Sequence, residues 1–394
     1  MRLKHGVPKV DLWPIMTRVA IQKPKSFASC ATDRASVVSF TSGADGHLDI
    51  ECKLFLASMS DVIRVARVIC ILFMAYVHVH LFPHDAYQQT LYFTIAETVL
   101  VDLFGRSSVP LLSVVSGILM IHYFGKRTYL QAIGQRSVSL VWPMVVWNTV
   151  ALGCYVYLSG DVYSWQQIPG RLLAFTGDGY WTHLTFLRDL FAICVIAPLL
   201  IRLIQLYGAV TLAGVLLLCV LCDLRPFLLR DSLLFYFTVG LYVGFYRLKT
   251  PFPTDFLAFL SFCGMALVTL ISIVNAMDQS RFVFLSDNQF DLLVRRPLCA
   301  IVFWHVAAFV VKSKGITEFI SERVEPAIFL MFLSHVLVSN ILGSVFFRFE
   351  TFHSPILYFL VWLSMPFASL FAAMCAIRVL DRCPKSVSIL VQGK

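Results

Sequence analysis

From about residue 61 onward the chain alternates long apolar runs with short polar breaks. A helix needs about 20 residues to cross the hydrocarbon core of a bilayer, within a range of about 17–25. Runs of this kind are expected at 66–82, 105–124, 137–158, 186–204, 209–222, 232–245, 256–275, 296–311, 327–344 and 355–379. The pattern predicts an all-α, polytopic integral membrane protein with about ten transmembrane helices. The fifth and sixth runs are short. The run 91–104 is apolar but carries Glu97 and Asp102. It is expected to be an outer loop or a partly inserted segment, and it would shift the topology by one if it spanned.

The first 60 residues are polar and basic, without sustained periodicity. They lack an apolar stretch behind a basic start, so they do not read as a secretory signal. The expected layout is a polar tail over 1–60, disordered or not native, a transmembrane domain over 61–380, and a cytoplasmic tail over 381–394. Met59 stands just ahead of the first apolar run and is the expected native start.

Composition narrows the class. Hydrophobic residues make up 58% of the 394 and charged residues 14%, against about 45–50% and about 25% in soluble domains. So few charges do not cover the surface of a water-soluble enzyme of this size. A disordered chain, a coiled coil and a nucleic-acid-binding domain are excluded on the same ground. The net charge of +9 then reads as topology. Lys126, Arg127, Arg136, Arg247 and Lys249 fall in loops that are cytoplasmic if the N-terminus is inside, as the positive-inside rule requires. Arg225, Arg230, Arg295 and Arg296 fit that arrangement worst. Most of the eleven Cys sit in apolar runs, where Cys behaves as a small hydrophobe. Cys219 and Cys222 form a lone C-x-x-C pair, so no metal site is expected.

Ionisable groups inside a span are expensive and are functional candidates by default. Arg67 and His78 are eleven positions apart in the first run. On an α-helix that spacing returns to within roughly 20° of the same face, some 16 Å further along the axis. Arg67 at the membrane surface suits the phosphates of coenzyme A, and the deeper His78 suits a general base acting on a hydroxyl. The alternative is that Arg67 only anchors the helix and His78 only packs.

Further along stand Ser116-Gly117 in the second run, the basic stretch 126–136 before Pro143, and Phe186-Leu-Arg188-Asp189-Leu opening the fourth. With Arg67 and His78 these residues resemble the acyltransferase-3 family, membrane proteins that O-acylate bacterial polysaccharides. The wording around His78 looks most like the rhizobial exopolysaccharide succinyltransferases of that family. The resemblance covers about 62–379. It implies an acyl-CoA donor, succinyl-CoA or acetyl-CoA, with no permanently bound cofactor and no metal. It also implies a glycan acceptor, either polysaccharide or lipid-linked oligosaccharide, and a bacterial inner-membrane location with the N-terminus cytoplasmic. The catalytic role falls on His78 and donor binding on Arg67, Lys126, Arg127 and Arg136. The chain departs from the family at Ser139, where a second arginine is usual, and at Ile118, where phenylalanine is.

Ser116, Gly117, Arg188, Asp189 and His335 are expected to hold the acceptor or support the site. For Arg188 and Asp189 the alternative is a local structural pair, and for His335 a packing role. His183 after Trp181 is expected near an interface, and His305 is a weaker candidate than His335. Asp278, Asp287 and Asp291, with Arg281, are expected in a solvated outer loop. The competing function is a transporter or flippase for a polysaccharide precursor. That reading calls for matched interrupted helices, and Pro143, Pro198 and Pro366 do not form a matched pair.

Overall fold

Among the described residues every regular element is helical and there is no strand. The computed structural model describes residues 46–79, 90–126, 128–159, 166–174, 180–222, 224, 228, 230–246, 248, 255–277, 290–347 and 354–393. The chain divides into a unit at 1–36, wholly outside those residues, and a second at 37–394 that holds all the elements below. His80, Arg127, Arg225, Arg247, Lys249, Asp278, Arg281 and Asp287 lie outside the described residues.

Helix α1 runs Gly46–Tyr76, starting inside the stretch expected to be a tail. It also stops six residues short of the expected end at 82. Past Tyr76 the chain tightens: the N–H groups of Val77, His78 and Val79 donate to the carbonyls of Met74, Ala75 and Tyr76 at 3.1, 3.1 and 3.3 Å. Bonds to the third residue back satisfy the last carbonyls of a helix and close its final turn. His78 therefore sits on a tightened turn just beyond the helix, not within a regular α-helical face.

Helices α2 (Leu91–Glu97) and α3 (Arg106–Lys126) are joined without a break by a π-helical stretch, Thr98–Gly105. The continuous apolar helix covers 34 residues, about 50 Å at 1.5 Å per residue, against about 30 Å of hydrocarbon. One unbroken helix crosses a bilayer once. Residues 91–104 thus extend the second span and add none. Asp102 pairs with Arg106 at 3.2 Å, which answers one of the two charges in that segment.

Helix α4 (Tyr129–Arg136) likewise continues through a π-helical turn, Ser137–Val141, into α5 (Trp142–Ser159). The short α6 (Ile168–Leu172) and a turn at Thr182–Leu184 lead into α7 (Thr185–Tyr207). Then come α8 (Ala209–Leu221), α9 (Ser232–Phe245), α10 (Asp255–Met277) and α11 (Arg296–Val310). Helix α12 (Lys314–Phe319) passes through a π-helical turn, Ile320–Val324, into α13 (Glu325–Phe347). The last two are α14 (Pro355–Leu380) and α15 (Lys385–Gln392). Seven described helical stretches are long and apolar enough to cross a membrane. Helices α8 and α9, at 13 and 14 residues, are shorter, and the described part of α1 carries Asp61, Arg64 and Arg67.

The core forms where small residues let backbones meet. Gly117 of α3 lies against the backbone of Phe237, Gly240 and Leu241 on α9; Gly240 in turn abuts the carbonyl of Val114, and Gly244 abuts Ile118. A Cβ at Gly117 or Gly240 would collide with backbone. Close approach through small residues is how membrane helices gain contact when lipid is as apolar as they are. Helix α1 packs beside this pair, between α3, α11 and α13.

Candidate functional site

A cavity of about 650 Å³ opens between α1, α3, the turn after α4, α7, α13 and the end of α15, within the range of small-molecule sites, about 300–1,000 Å³. Of the residues expected to bind the donor or support the site, Arg67, Ser116 and Arg136 line it. Arg67 Nη1 donates to Glu325 Oε1 at 3.0 Å, both side chains about one-quarter exposed, at 29% and 24%. Its neighbour Arg64 is held elsewhere, donating to Asp61 Oδ1 at 3.0 Å. Arg136 closes α4, and its guanidinium lies 3.9 Å above the Tyr123 ring. Its Nε is buried and has no hydrogen-bond partner. Arginine stacks on aromatic rings and donates in a fixed fork to phosphates and carboxylates. Ser139, where the family pattern has arginine, also lines the cavity and donates to the Arg136 carbonyl at 3.4 Å. Ser116 donates back to Leu112 O at 2.8 Å, while Gly117 serves the α3–α9 contact. Lys126 ends α3.

Phe186 and Phe332 also line the cavity, which none of the described histidines does; their ring centroids are 6.1 Å apart. Beyond Phe332 lie three histidines from three separate elements. His78 is 5.3 Å from His183 and 5.5 Å from His335, ring centroid to ring centroid, and the latter two are 4.5 Å apart. Phe332 meets His183 edge-on at 5.6 Å and His335 at 6.5 Å. His183 and His335 are 2% and 1% exposed. His335 Nδ1 is 2.9 Å from Phe332 O. A carbonyl only accepts, so Nδ1 carries a proton. The buried Nε2 atoms of His183 and His335 have no hydrogen-bond partner. Among the described residues no group of three His, Cys, Asp or Glu is arranged to hold a metal ion.

His183 was expected at an interface, but it is buried in this cluster with Trp181 stacked against it at 5.9 Å. Glu325 and Phe332 did not stand out in the sequence, and His183 did so only as a residue beside Trp181 at an interface. Arg188 and Asp189 are not among the residues that line the cavity. Arg188 Nε donates to Asp189 Oδ1 at 3.0 Å and its Nη1 donates to Ala174 O. Asp189 Oδ2 accepts the Arg230 N–H at 3.1 Å. This buried pair ties α7 to two loops, one of which holds Ala174 at φ +54°. Arg296, also misplaced by the charge rule, donates to Ser232 Oγ on α9. His305 Nδ1 lies 2.8 Å from Ile301 O on its own helix.

A bundle of helices this long and apolar is that of a polytopic membrane protein, and its cavity holds Arg67, Arg136 and Glu325. A family model described as an acyltransferase domain matches residues 61–378, and the chain belongs to this acyltransferase-3 family. A similar protein is the succinoglycan biosynthesis protein ExoH of Rhizobium meliloti (strain 1021), 23% identical over 180 residues, or 43% of this chain. The match spans about half of that relative, 49% of its length. No solved structure matches the chain.

Proposed function

We propose that this protein is a multi-pass inner-membrane O-acyltransferase with a cytoplasmic N-terminus. It moves an acyl group, succinyl or acetyl, from acyl-CoA to a sugar hydroxyl of an exopolysaccharide or other surface glycan, presented as polysaccharide or as lipid-linked oligosaccharide. One observation carries the reading: Phe332, which lines the cavity together with Arg67 and Arg136, packs beside two of the three clustered histidines, with ring centroids 5.6 and 6.5 Å away. The family membership and the succinoglycan relative support it.

In this reading the phosphates of the donor meet Arg67 and Arg136, and the pantetheine arm runs along the apolar wall to Phe332. The acceptor hydroxyl gives its proton to His78 as its oxygen attacks the thioester carbonyl. The carbon–sulfur bond then breaks, and the thiolate leaves with a proton returned from His78. His335, its Nδ1–H fixed on Phe332 O, and His183 hold His78 in place. A positioned base of this kind contributes about 10²–10⁴-fold. The helices containing Pro198 and Pro366 run unbroken, which favours an enzyme over a transporter with interrupted helices.

The test is a strain lacking the gene, complemented with the wild type or with His78→Ala, and NMR of its polysaccharide. The ester signals are expected to return with the wild type and stay absent with the variant. Normal acylation by His78→Ala would overturn the assignment.

A further inference from the structure

The segment after the last span does not leave the bundle. Helix α15 lies against α5 and α13, and Trp147 Nε1 of α5 donates to Val391 O at 3.1 Å. The helix ends at Gly393, whose φ of +68° is open to glycine and whose N–H donates to Ile389 O at 2.8 Å. A Cβ there would collide with Val138 O and stand 2.8 Å from Pro143 Cγ. Gly393 is therefore pressed onto the π-helical turn that follows Arg136. Along the same helix Ile389 and Leu390 are 43% and 45% exposed, as suits a helix lying along a membrane surface.

This packing brings Gln392 and Gly393 into the wall of the cavity. The polar side chains there are unequal. Arg67 and Arg136 only donate, Glu325 only accepts, and Ser116 already donates to its own helix. Gln392 is 5% exposed, and among the described residues it is the one polar lining side chain that is buried. Its amide both donates and accepts. That is the complement of a secondary amide, which the pantetheine arm of coenzyme A carries between the phosphates and the thioester.

We infer that Gln392, held by the Gly393–Val138 contact, is a donor-binding residue that reads the amide-bearing arm of the acyl-CoA. This rests on the reading of the cavity as the donor site. The side chain touches neither the reacting carbonyl nor the acceptor, so it acts on donor affinity and not on the chemical step.

The experiment measures release of free coenzyme A by the purified full-length protein as acyl-CoA and glycan concentrations are varied. Gln392→Ala is expected to raise the KM for acyl-CoA about five- to tenfold, the loss of one or two hydrogen bonds, with kcat and the acceptor KM little changed. Gly393→Ala, which pushes the segment off the turn, is expected to act in the same direction. Trp147→Phe, which removes only the bond to Val391, gives a milder version and covers the case in which Gly393→Ala does not fold. An unchanged donor KM in Gln392→Ala and Trp147→Phe, or a fall confined to kcat, overturns the inference while leaving the enzyme reading intact. Absence of acyl-CoA turnover by the wild type would instead remove the reading beneath it.

Discussion

Arg67 and Glu325, 258 positions apart in the chain, form a 3.0 Å ion pair at the edge of the cavity. Exposure of about one-quarter on each side lets water screen the pair, so it contributes no more than about 1 kcal/mol to stability. Its effect is on charge: Glu325 holds Arg67 while offsetting the attraction of its guanidinium for any anion in the cavity.

Arg67→Ala is therefore expected to raise the donor KM at least tenfold, because it removes a phosphate partner and leaves the Glu325 carboxylate facing an anion. Adding Glu325→Gln removes that repulsion, and the double variant is expected to recover part of the loss. Steady-state kinetics at two salt concentrations checks this, since raising the salt should shrink the difference. A double variant no better than Arg67→Ala would count against the charge argument.

His183→Phe keeps a ring of similar shape beside Trp181 and Phe332 and is expected to fold normally. If His183 only packs, turnover will also be normal. If it holds His78, kcat is expected to fall about tenfold or more with the donor KM unchanged. His335→Phe, which also loses the bond to Phe332 O, is expected to behave alike. Comparing kcat with KM in the two variants, beside their thermal stability in detergent, separates packing from positioning.

Gly240→Val tests the α3–α9 contact. Even a Cβ at this position would collide with the Val114 carbonyl, and overpacking typically costs about 1–3 kcal/mol. Less folded protein in the membrane and a lower unfolding temperature are expected, with the donor KM of the surviving fraction unchanged. A variant as stable as the wild type would contradict the close approach.

Arg188→Ala leaves Asp189 buried without its arginine. Breaking a buried pair in this way typically costs about 3–5 kcal/mol. The expected outcome is loss of folded protein, measured by size-exclusion chromatography in detergent. Arg188→Lys is not expected to rescue it, because one ammonium does not reproduce the bonds from Nε and the terminal nitrogens. A well-folded Arg188→Ala with an altered acceptor KM would return the pair to the acceptor site.

The sequence by itself determined the class and supplied the candidates for the chemistry. Apolar runs too long and too poor in charge for water dictate membrane helices, and each ionisable residue left inside them stands out. Arg67, His78 and His335 were legible for that reason, and Arg136 through the basic stretch that resembles the family. So was the family, from the residues around His78 and along the spans that follow. The tertiary structure decided what meets what. His183 reads as an interfacial residue until packing buries it between His335 and Trp181. Glu325 reads as the start of a span until α13 brings it to Arg67. Gln392 reads as tail until Gly393 presses it onto the turn at Val138. It also showed Arg188 and Asp189 to be a buried pair, and it merged 91–104 with the span that follows. Periodicity reports which side of a helix is apolar. Contacts between elements hundreds of residues apart depend on how the helices pack, and no local pattern in the chain records that.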